Sequence, residues 1–495
     1  MSKFTALFMV FVLILFSGCI GDSTDQKSMP DMEVEQLQVI DVEPGENGSW
    51  PGVIGNSVYC TRYSYYEFGS QIYFTAAESS SHVYVYSLDN FSLWLETDME
   101  ASISCAGCEA FEKSMNPTYF NDRAYFIGPY DNLWMHNFST SSSFEVYDLS
   151  ELGEGYRHLA GNEKTPGKYL SVIVDNKWYF SSDSAEFGLE LWSLNLETHE
   201  LSLVIDTAPG TFEIYEEYPQ DGNPGKQFSM VVDNRLMFSS YNGSEHTLWI
   251  HDTTNSSTWE VPQVTWSNQA GSSKDILHEP ILVDDIIYFS QRANLIAYDT
   301  IDESVTLVVD DLEYIGLNFF EFHDGVLYFD ARPTSTLDDW KLWAHNISNS
   351  TTWLIDDEGI APRSLSSTWN NGTVYYTTFL DDIGRELMAY NSVNATSWMV
   401  SDINPGSDSS YPEFLGISDD GILYFSADDG ETGRELWAHD LQNSTTWLFS
   451  DINPGSDGSN PGKINSASSV FETDDSLFFA AYNVEYGLEL WRLIF

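Results

Sequence analysis

The sequence predicts an all-β chain folded as a single β-propeller of about nine four-stranded blades. Three observations carry that expectation. Short apolar segments alternate with the period of half-buried strands, anchor residues, seven of nine of them Trp or Tyr, recur every 45 to 58 residues, and a segment near the start matches the strand that the last copy lacks.

The repeat is plainest at the C-terminal end. Gly421 to Gly430 followed by Gly433-Arg434-Glu435-Leu436-Trp437 matches Ser476 to Ala481 followed by Gly487-Leu488-Glu489-Leu490-Trp491. With the Trp as anchor, the equivalent positions are Tyr84, Trp134, Trp192, Trp249, Ile296, Trp343, Met388, Trp437 and Trp491. In the eighth copy four strand-like segments, 413–418, 422–427, 435–440 and 446–451, are separated by turn residues such as Asp419-Asp420-Gly421, Asp428-Asp429-Gly430 and Asn443-Ser444. Four antiparallel strands at a period near 50 describe one propeller blade.

The ninth copy runs to Phe495 directly after its third strand. Residues 36–45, ending Asp41-Val42-Glu43-Pro44-Gly45, match the fourth-strand segment 446–455, so the N-terminal strand is expected to complete the ninth blade and leave no open edge. Nine third strands then balance nine fourth strands. Because propellers typically have about 4 to 8 blades, eight blades plus a degenerate unit is the alternative.

Three segments follow: an export signal at 1–18, a polar tether at 19–34 and the propeller at 35–495. Lys3, the apolar run Phe4 to Phe16 and the small pair Ser17-Gly18 have the form of a secretory signal. The run is shorter than the roughly 20 apolar residues a spanning helix needs. Phe16-Ser17-Gly18-Cys19 resembles the lipobox of prokaryotic lipoproteins, with Phe16 where Leu is usual. That resemblance implies a lipid on the Cys19 sulfur and residence on the extracellular face of a bacterial or archaeal membrane.

The chain carries 76 acidic against 20 basic residues, a formal charge of -56. Such a field excludes nucleic acid and favours cations or basic partners, and adaptation to a salty habitat accounts for it as well. With 42% hydrophobic residues a large core is nonetheless expected. Cys60, Cys105 and Cys108 give one disulfide and one free thiol outside the cell, with the pairing open. Cys105-Ala106-Gly107-Cys108 lacks the further ligands of a zinc site.

In a blade the first-to-second and third-to-fourth turns share one face, and the second-to-third and blade-to-blade loops share the other. Asn90, Asn137, Asn255, Asn349, Asn394 and Asn443 place Asn-x-Ser/Thr glycosylation acceptors in third-to-fourth turns, and Asn47, Asn242, Asn346 and Asn371 complete ten. A turn that favours Asn and Ser would generate them too. The opposite face receives Asp41-Val42-Glu43-Pro44-Gly45, Asp206-Thr207-Ala208-Pro209-Gly210, Asp402-Ile403-Asn404-Pro405-Gly406 and Asp451-Ile452-Asn453-Pro454-Gly455, with Asp148, Asp310 and Asp356 in the same place elsewhere. Asp402, Asn404, Asp451, Asn453 and Asp457 offer the hard oxygen ligands that Ca²⁺ takes, while an Asp at a strand end also caps its turn. His136, His251, His345 and His439 recur two residues after the anchor, in a slot that holds Tyr or Leu in other copies, and are read as packing residues.

The Glu-Leu-Trp copies and Asp-Ile-Asn-Pro-Gly turns resemble the ELWxxDGT repeat family of microbial surface proteins, although Ala438-His439-Asp440 stands where that family has Asp-Gly-Thr. The resemblance implies extracellular display and repeats, and it carries no known catalytic activity with it. Ala427 to Trp437 resembles the tryptophan-docking motif of quinoprotein dehydrogenases, with Arg434 for Lys and without their adjacent cysteine pair. The leading expectation is a non-enzymatic, lipid-anchored surface scaffold that binds a protein or polysaccharide through its acidic loop face, with no catalytic residues assigned. The alternatives are an enzyme with a site in the channel, quinone-dependent or hydrolytic, and a structural envelope component.

Overall fold

The computed structural model describes residues 37–40 and, from 65 to 495, all but the stretches 77–81, 96–117, 128–131, 153–165, 212–218, 267–279, 310–313, 333–340 and 356–366 and a few short gaps. Among the described residues there are nine four-stranded antiparallel sheets. They are blade 1 (65–95), blade 2 (118–147), blade 3 (171–205), blade 4 (229–266), blade 5 (281–309), blade 6 (314–354), blade 7 (367–401), blade 8 (413–450) and blade 9 (470–494 with 37–40). The strands of blade 8, Glu413–Ile417, Ile422–Asp428, Arg434–Asp440 and Thr445–Ser450, fall within a residue or two of the expected ends.

All nine anchors lie on third strands, each opposite an aromatic of the second strand. Tyr84 faces Phe74, Trp134 faces Phe126, Trp192 faces Phe180, and the series continues to Trp491 facing Phe479. In blades 2, 3, 5, 7 and 8 the register to the fourth strand slips directly before the anchor, as with Leu436/Trp437. Such a bulge increases twist, which suits blades that must fan around an axis.

The cores lie between blades rather than within them. Tyr125 of blade 2 packs with Trp178 of blade 3, Leu191 with Leu236, Leu248 with Ile287, Leu295 with Leu327, Leu342 with Val374, Leu387 with Leu423, and Leu436 with Leu477. Tyr73 of blade 1 meets Phe138 of blade 2 at 4.9 Å between ring centroids. The ring closes where Phe478 and Leu490 of blade 9 pack with Ile72 and Phe74 of blade 1. The N-terminal strand completes blade 9 as expected, with Leu37 opposite Leu493 and Ile40 opposite Leu490. The protein is a nine-bladed propeller.

The first-to-second and third-to-fourth turns are short and define a turn face; the longer connections define a loop face. Asp and Asn at the left-handed position of the first-to-second turns, as at Asn121, Asp175, Asp233, Asp284 and Asp324, have φ between 50° and 58°. Their short polar side chains tolerate that conformation where bulkier ones do not. Carboxylates therefore populate the turn face as well, and acidity does not single out the loop face as expected.

Candidate functional site

Three blades share a construction on the loop face that the repeat alone did not announce. In blades 3, 7 and 8 a Gly-x-Glu on the third strand holds the connection that leaves the fourth strand. Glu190, Glu386 and Glu435 are 0%, 1% and 0% exposed. Glu190 accepts hydrogen bonds from the Thr207 N–H and hydroxyl and from the Gly222 N–H, at 2.8–3.0 Å. Glu386 accepts from the N–H of Ile403 and from the N–H and hydroxyl of Ser410, at 2.6–2.9 Å. Glu435 accepts from the N–H of Ile452 and Asn453 and the hydroxyl of Ser459, at 2.5–3.1 Å. Each carboxylate thus pins both ends of one loop.

Burial pushes the carboxyl of Glu190 up to about 8 and that of Glu435 up to about 7, and raises Glu386 as well, while the N–H and hydroxyl donors pull the other way. Perturbed buried carboxyls are ordinary candidates for acid–base chemistry. Here the oxygens are spent on backbone and hydroxyl donors, so these groups are latches.

The glycine two residues earlier lets the second-to-third hairpin touch the loop it holds. A Cβ on Gly188 would lie 2.4 Å from the Gln220 carbonyl, on Gly384 2.2 Å from that of Asp408, and on Gly433 2.7 Å from both the Gly458 N and the Ser456 O. Blade 9 has the same Gly487-Leu488-Glu489, with Glu489 0% exposed, and its loop at Asp41 lies outside the described residues. In blade 2 Asn132 fills the Glu position and its Oδ1 accepts from the Leu149 N–H, 2.9 Å away.

Each latched loop exposes a Pro-Gly tip, at Pro209-Gly210, Pro405-Gly406 and Pro454-Gly455. The glycines have φ of +121°, +111° and +128°, the positive φ expected of a residue following Pro in such a turn. Before each loop enters the next blade, one residue ahead of a proline is left-handed: Asn223, Tyr411 and Asn460, with φ of 52°, 47° and 51°. Asn accepts that conformation readily, and a bulky side chain does not. Tyr411 is the exception, and it is 54% exposed on the loop face. Below it, Arg434 donates to the Tyr411 carbonyl at 2.6 Å and to the Ser426 hydroxyl at 2.8 Å.

The calcium candidates are partly committed elsewhere. Asn453 donates to the Gly458 carbonyl at 3.1 Å and accepts from the Val484 N–H at 3.0 Å, joining blade 8 to the hairpin of blade 9. Asn404 has its Nδ2 3.5 Å from the Ser409 carbonyl, and Asp402 and Asp457 are exposed. Burial raises the Asp451 carboxyl, with Asp429 adding to it. Among the described residues no three His, Cys, Asp or Glu converge as a metal site would require.

The histidines sit in packing slots, with one addition. Nδ1 of His136, His251, His345 and His439 lies 2.8–2.9 Å from a hydroxyl seven residues on, at Ser143, Thr258, Thr352 and Thr446. Burial pushes His251 and His439 down to about 4 and lowers His345. His251 packs on Tyr179 and His439 on Tyr375 of the preceding blade. The tryptophan-docking resemblance falls on the blade 8 hairpin, where Asp429 caps Glu431 and Thr432 and Trp437 joins the core between blades 7 and 8.

Of the acceptor asparagines, Asn90, Asn255, Asn349, Asn371, Asn394 and Asn443 are exposed and Asn137, Asn242 and Asn346 are half-buried. Asn47, Cys19, Cys60, Cys105, Cys108, Asp310 and Asp356 lie outside the described residues.

No protein-family model matches the chain, and no curated protein sequence does. Among solved structures, BamB from Moraxella catarrhalis is similar at 11% identity over 76% of this chain and 96% of that one, with a TM-score of 0.38. A europium-containing methanol dehydrogenase is similar at 11% identity over 79% of this chain and 84% of that one, with a TM-score of 0.43. The computationally designed Ika8 protein is similar at 9% identity over 77% of this chain and 96% of that one, with a TM-score of 0.36. These likenesses concern the course of the backbone and not the chemistry of any site.

Proposed function

We propose that the protein is a non-enzymatic display scaffold, exported and anchored through Cys19, that docks a protein or polysaccharide partner on its loop face. The observation that carries this reading is the latching of three long loops by buried carboxylates. Loops held from beneath present exposed tips with little ordering left to do on binding, which lowers the entropic cost of association.

Strand direction supports the same choice of face. The segment Leu37–Ile40 runs antiparallel to the third strand of blade 9, so it enters the ring from the turn face. A membrane tether preceding Leu37 would therefore attach on the turn-face side and leave the loop face free. Tyr411 adds a side chain of the kind that anchors interfaces, held in a strained backbone where the two equivalent loops use Asn.

The test compares one substitution on each face of the full chain. Tyr411→Asn copies the residue found at Asn223 and Asn460 and keeps the loop; Val393→Ala removes an 84% exposed side chain from the turn face. Binding of surface extract to the immobilised wild type should weaken with Tyr411→Asn and persist with Val393→Ala, in calcium and in chelator alike. Equal retention by both variants would sink the loop-face reading.

A further inference from the structure

We propose that, on the exported chain, Asn90, Asn255, Asn349, Asn394 and Asn443 are the used sugar-attachment sites and that they coat the turn face with N-linked glycan. The proposal rests on the export reading and goes beyond it, because it chooses among the acceptors.

The third-to-fourth turns of blades 1 to 8 share one geometry with two Asx-type slots. The inner slot closes the third strand, and where Asp or Asn fills it the side-chain oxygen accepts from backbone N–H groups two or three residues on. Asp252 accepts from the N–H of Thr254, Asp299 from Ile301, Asn346 from Ser348, Asn391 from Val393 and Asp440 from Gln442. The outer slot lies three residues later, ahead of a left-handed residue: Phe91, Ser256, Ser350, Ala395 or Ser444, with φ of 54° to 59°.

The inner slot uses Asn (Asn137, Asn195, Asn346, Asn391) and Asp (Asp252, Asp299, Asp440) almost equally, as a purely structural cap would. The outer slot holds Asn90, Asn255, Asn349, Asn394 and Asn443 against a single Asp302 and two threonines, Thr140 and Thr198, in a chain where Asp outnumbers Asn. Asp302 makes the same turn, its Oδ1 accepting the Ser304 N–H at 2.9 Å, with Glu303 left-handed at 61°. The turn therefore forms without an amide in this slot, even where the inner slot is Asp299. What Asn supplies and Asp lacks is the amide nitrogen.

All five outer asparagines are exposed. In three of them the hydroxyl two residues on donates to the same amide oxygen: Thr351 to Asn349 at 2.7 Å, Thr396 to Asn394 and Thr445 to Asn443 at 2.5 Å. Asn255 and Asn443 donate one N–H to Asp252 and Asp440 and keep the second. The remaining described acceptors differ. Asn371 is exposed but lies in a first-to-second turn, its amide donated to the Asn370 Oδ1 at 2.8 Å and the hydroxyl of its motif on the buried Thr373, where it accepts from Asn391. Asn242 lies on the loop face, half-buried, with its amide donated to Glu260 at 2.7 Å. Asn137 and Asn346 occupy the inner slot and are half-buried.

The step joins the asparagine Nδ2 to the anomeric carbon of a glycosyl group carried on a polyprenyl phosphate or diphosphate. The carbon–oxygen bond to phosphate breaks, the phosphate leaves with the bonding pair, and the amide proton passes to it. Nothing is oxidised or reduced.

The test is site-resolved glycopeptide mass spectrometry of the full chain purified from its native cells, with Asn394→Asp and Thr396→Ala variants. Sugar is expected at the five outer asparagines and absent from Asn137, Asn242, Asn346 and Asn371, and each variant should lose one glycan mass. Asn394→Asp should keep the wild-type melting temperature, because Asp302 shows that the turn tolerates it. Bare asparagine at the five positions, or sugar at Asn242, overturns the proposal. A surface-located chain with bare asparagines overturns it while leaving the display reading intact, and a glycosylated chain that captures no partner does the reverse.

Discussion

The two faces of the ring reverse the chain by different means. In blade 8 the third-to-fourth turn takes the four residues between Asp440 and Thr445, and its caps, Asp440 and Asn443, belong to the turn itself. The connection from blade 7 to blade 8 takes the eleven residues between Ser401 and Glu413, and it is held by Glu386, a side chain of a strand already passed. The turn face is local and repeats with little variation. The loop face depends on contacts made only once the blades have assembled, and it is the face that can vary.

That contrast can be broken from the loop side first. Glu435→Ala removes three hydrogen bonds and orphans two buried N–H groups at about 1–3 kcal/mol each, so a loss on the order of 4 kcal/mol is expected in denaturant unfolding. New proteolytic cleavage between 451 and 462 should accompany it. A variant as stable and as resistant as wild type would show that the loop holds itself.

Acid sensitivity comes next. Burial holds the His439 pKa near 4 against 6.5 when unfolded, so its contribution is present above pH 6.5 and is lost as pH falls toward 4. Glu435 has the opposite sign: raised to about 7, it stabilises fully below about 4.5 and less as pH rises through 7. His439→Tyr, copying the buried Tyr298 and Tyr390, should spare the protein roughly 2–3 kcal/mol of the loss between pH 7 and 4.5. Parallel pH–stability curves for the two proteins would contradict a buried neutral imidazole.

Two glycines of blade 8 sharpen the comparison at fixed chemistry. Gly433 and Gly421 have φ of +72° and +81°, but only Gly433 is crowded by backbone. Gly433→Ala should cost roughly 2–3 kcal/mol, strain plus displacement of the loop, and Gly421→Ala about 1 kcal/mol of left-handed strain alone. Equal melting shifts would mean that the loop yields freely. The smallest effect belongs to the turn face: Asn394→Asp should change stability by less than about 0.5 kcal/mol in unglycosylated protein.

Much of this was legible. The nine anchors, the closing strand and the blade 8 boundaries followed from period and alternation, because each anchor must meet an aromatic on the adjacent strand. The latch was also legible, though only as a correlation: Glu190 precedes Asp206, Glu386 precedes Asp402 and Glu435 precedes Asp451 by the same 16 residues. Those glutamates look like exposed strand residues two positions before an anchor, and nothing local says that they are buried. The same blindness made the loop face look distinctively acidic, since the aspartates of two-residue turns on the other face read as mere punctuation.

The sequence by itself determined the strands, the turns and the way the ring closes, because these rest on side-chain period and on backbone preferences within a few residues, and the structure chose nine blades over eight. Only the tertiary structure decided which carboxylates turn inward to hold loops, which asparagines stand free and from which face the N-terminal segment enters. Those outcomes depend on segments brought together from 17 to 32 residues apart, as with Glu190 and its partners Thr207 and Gly222, and burial is a property of the assembled neighbours rather than of the residue.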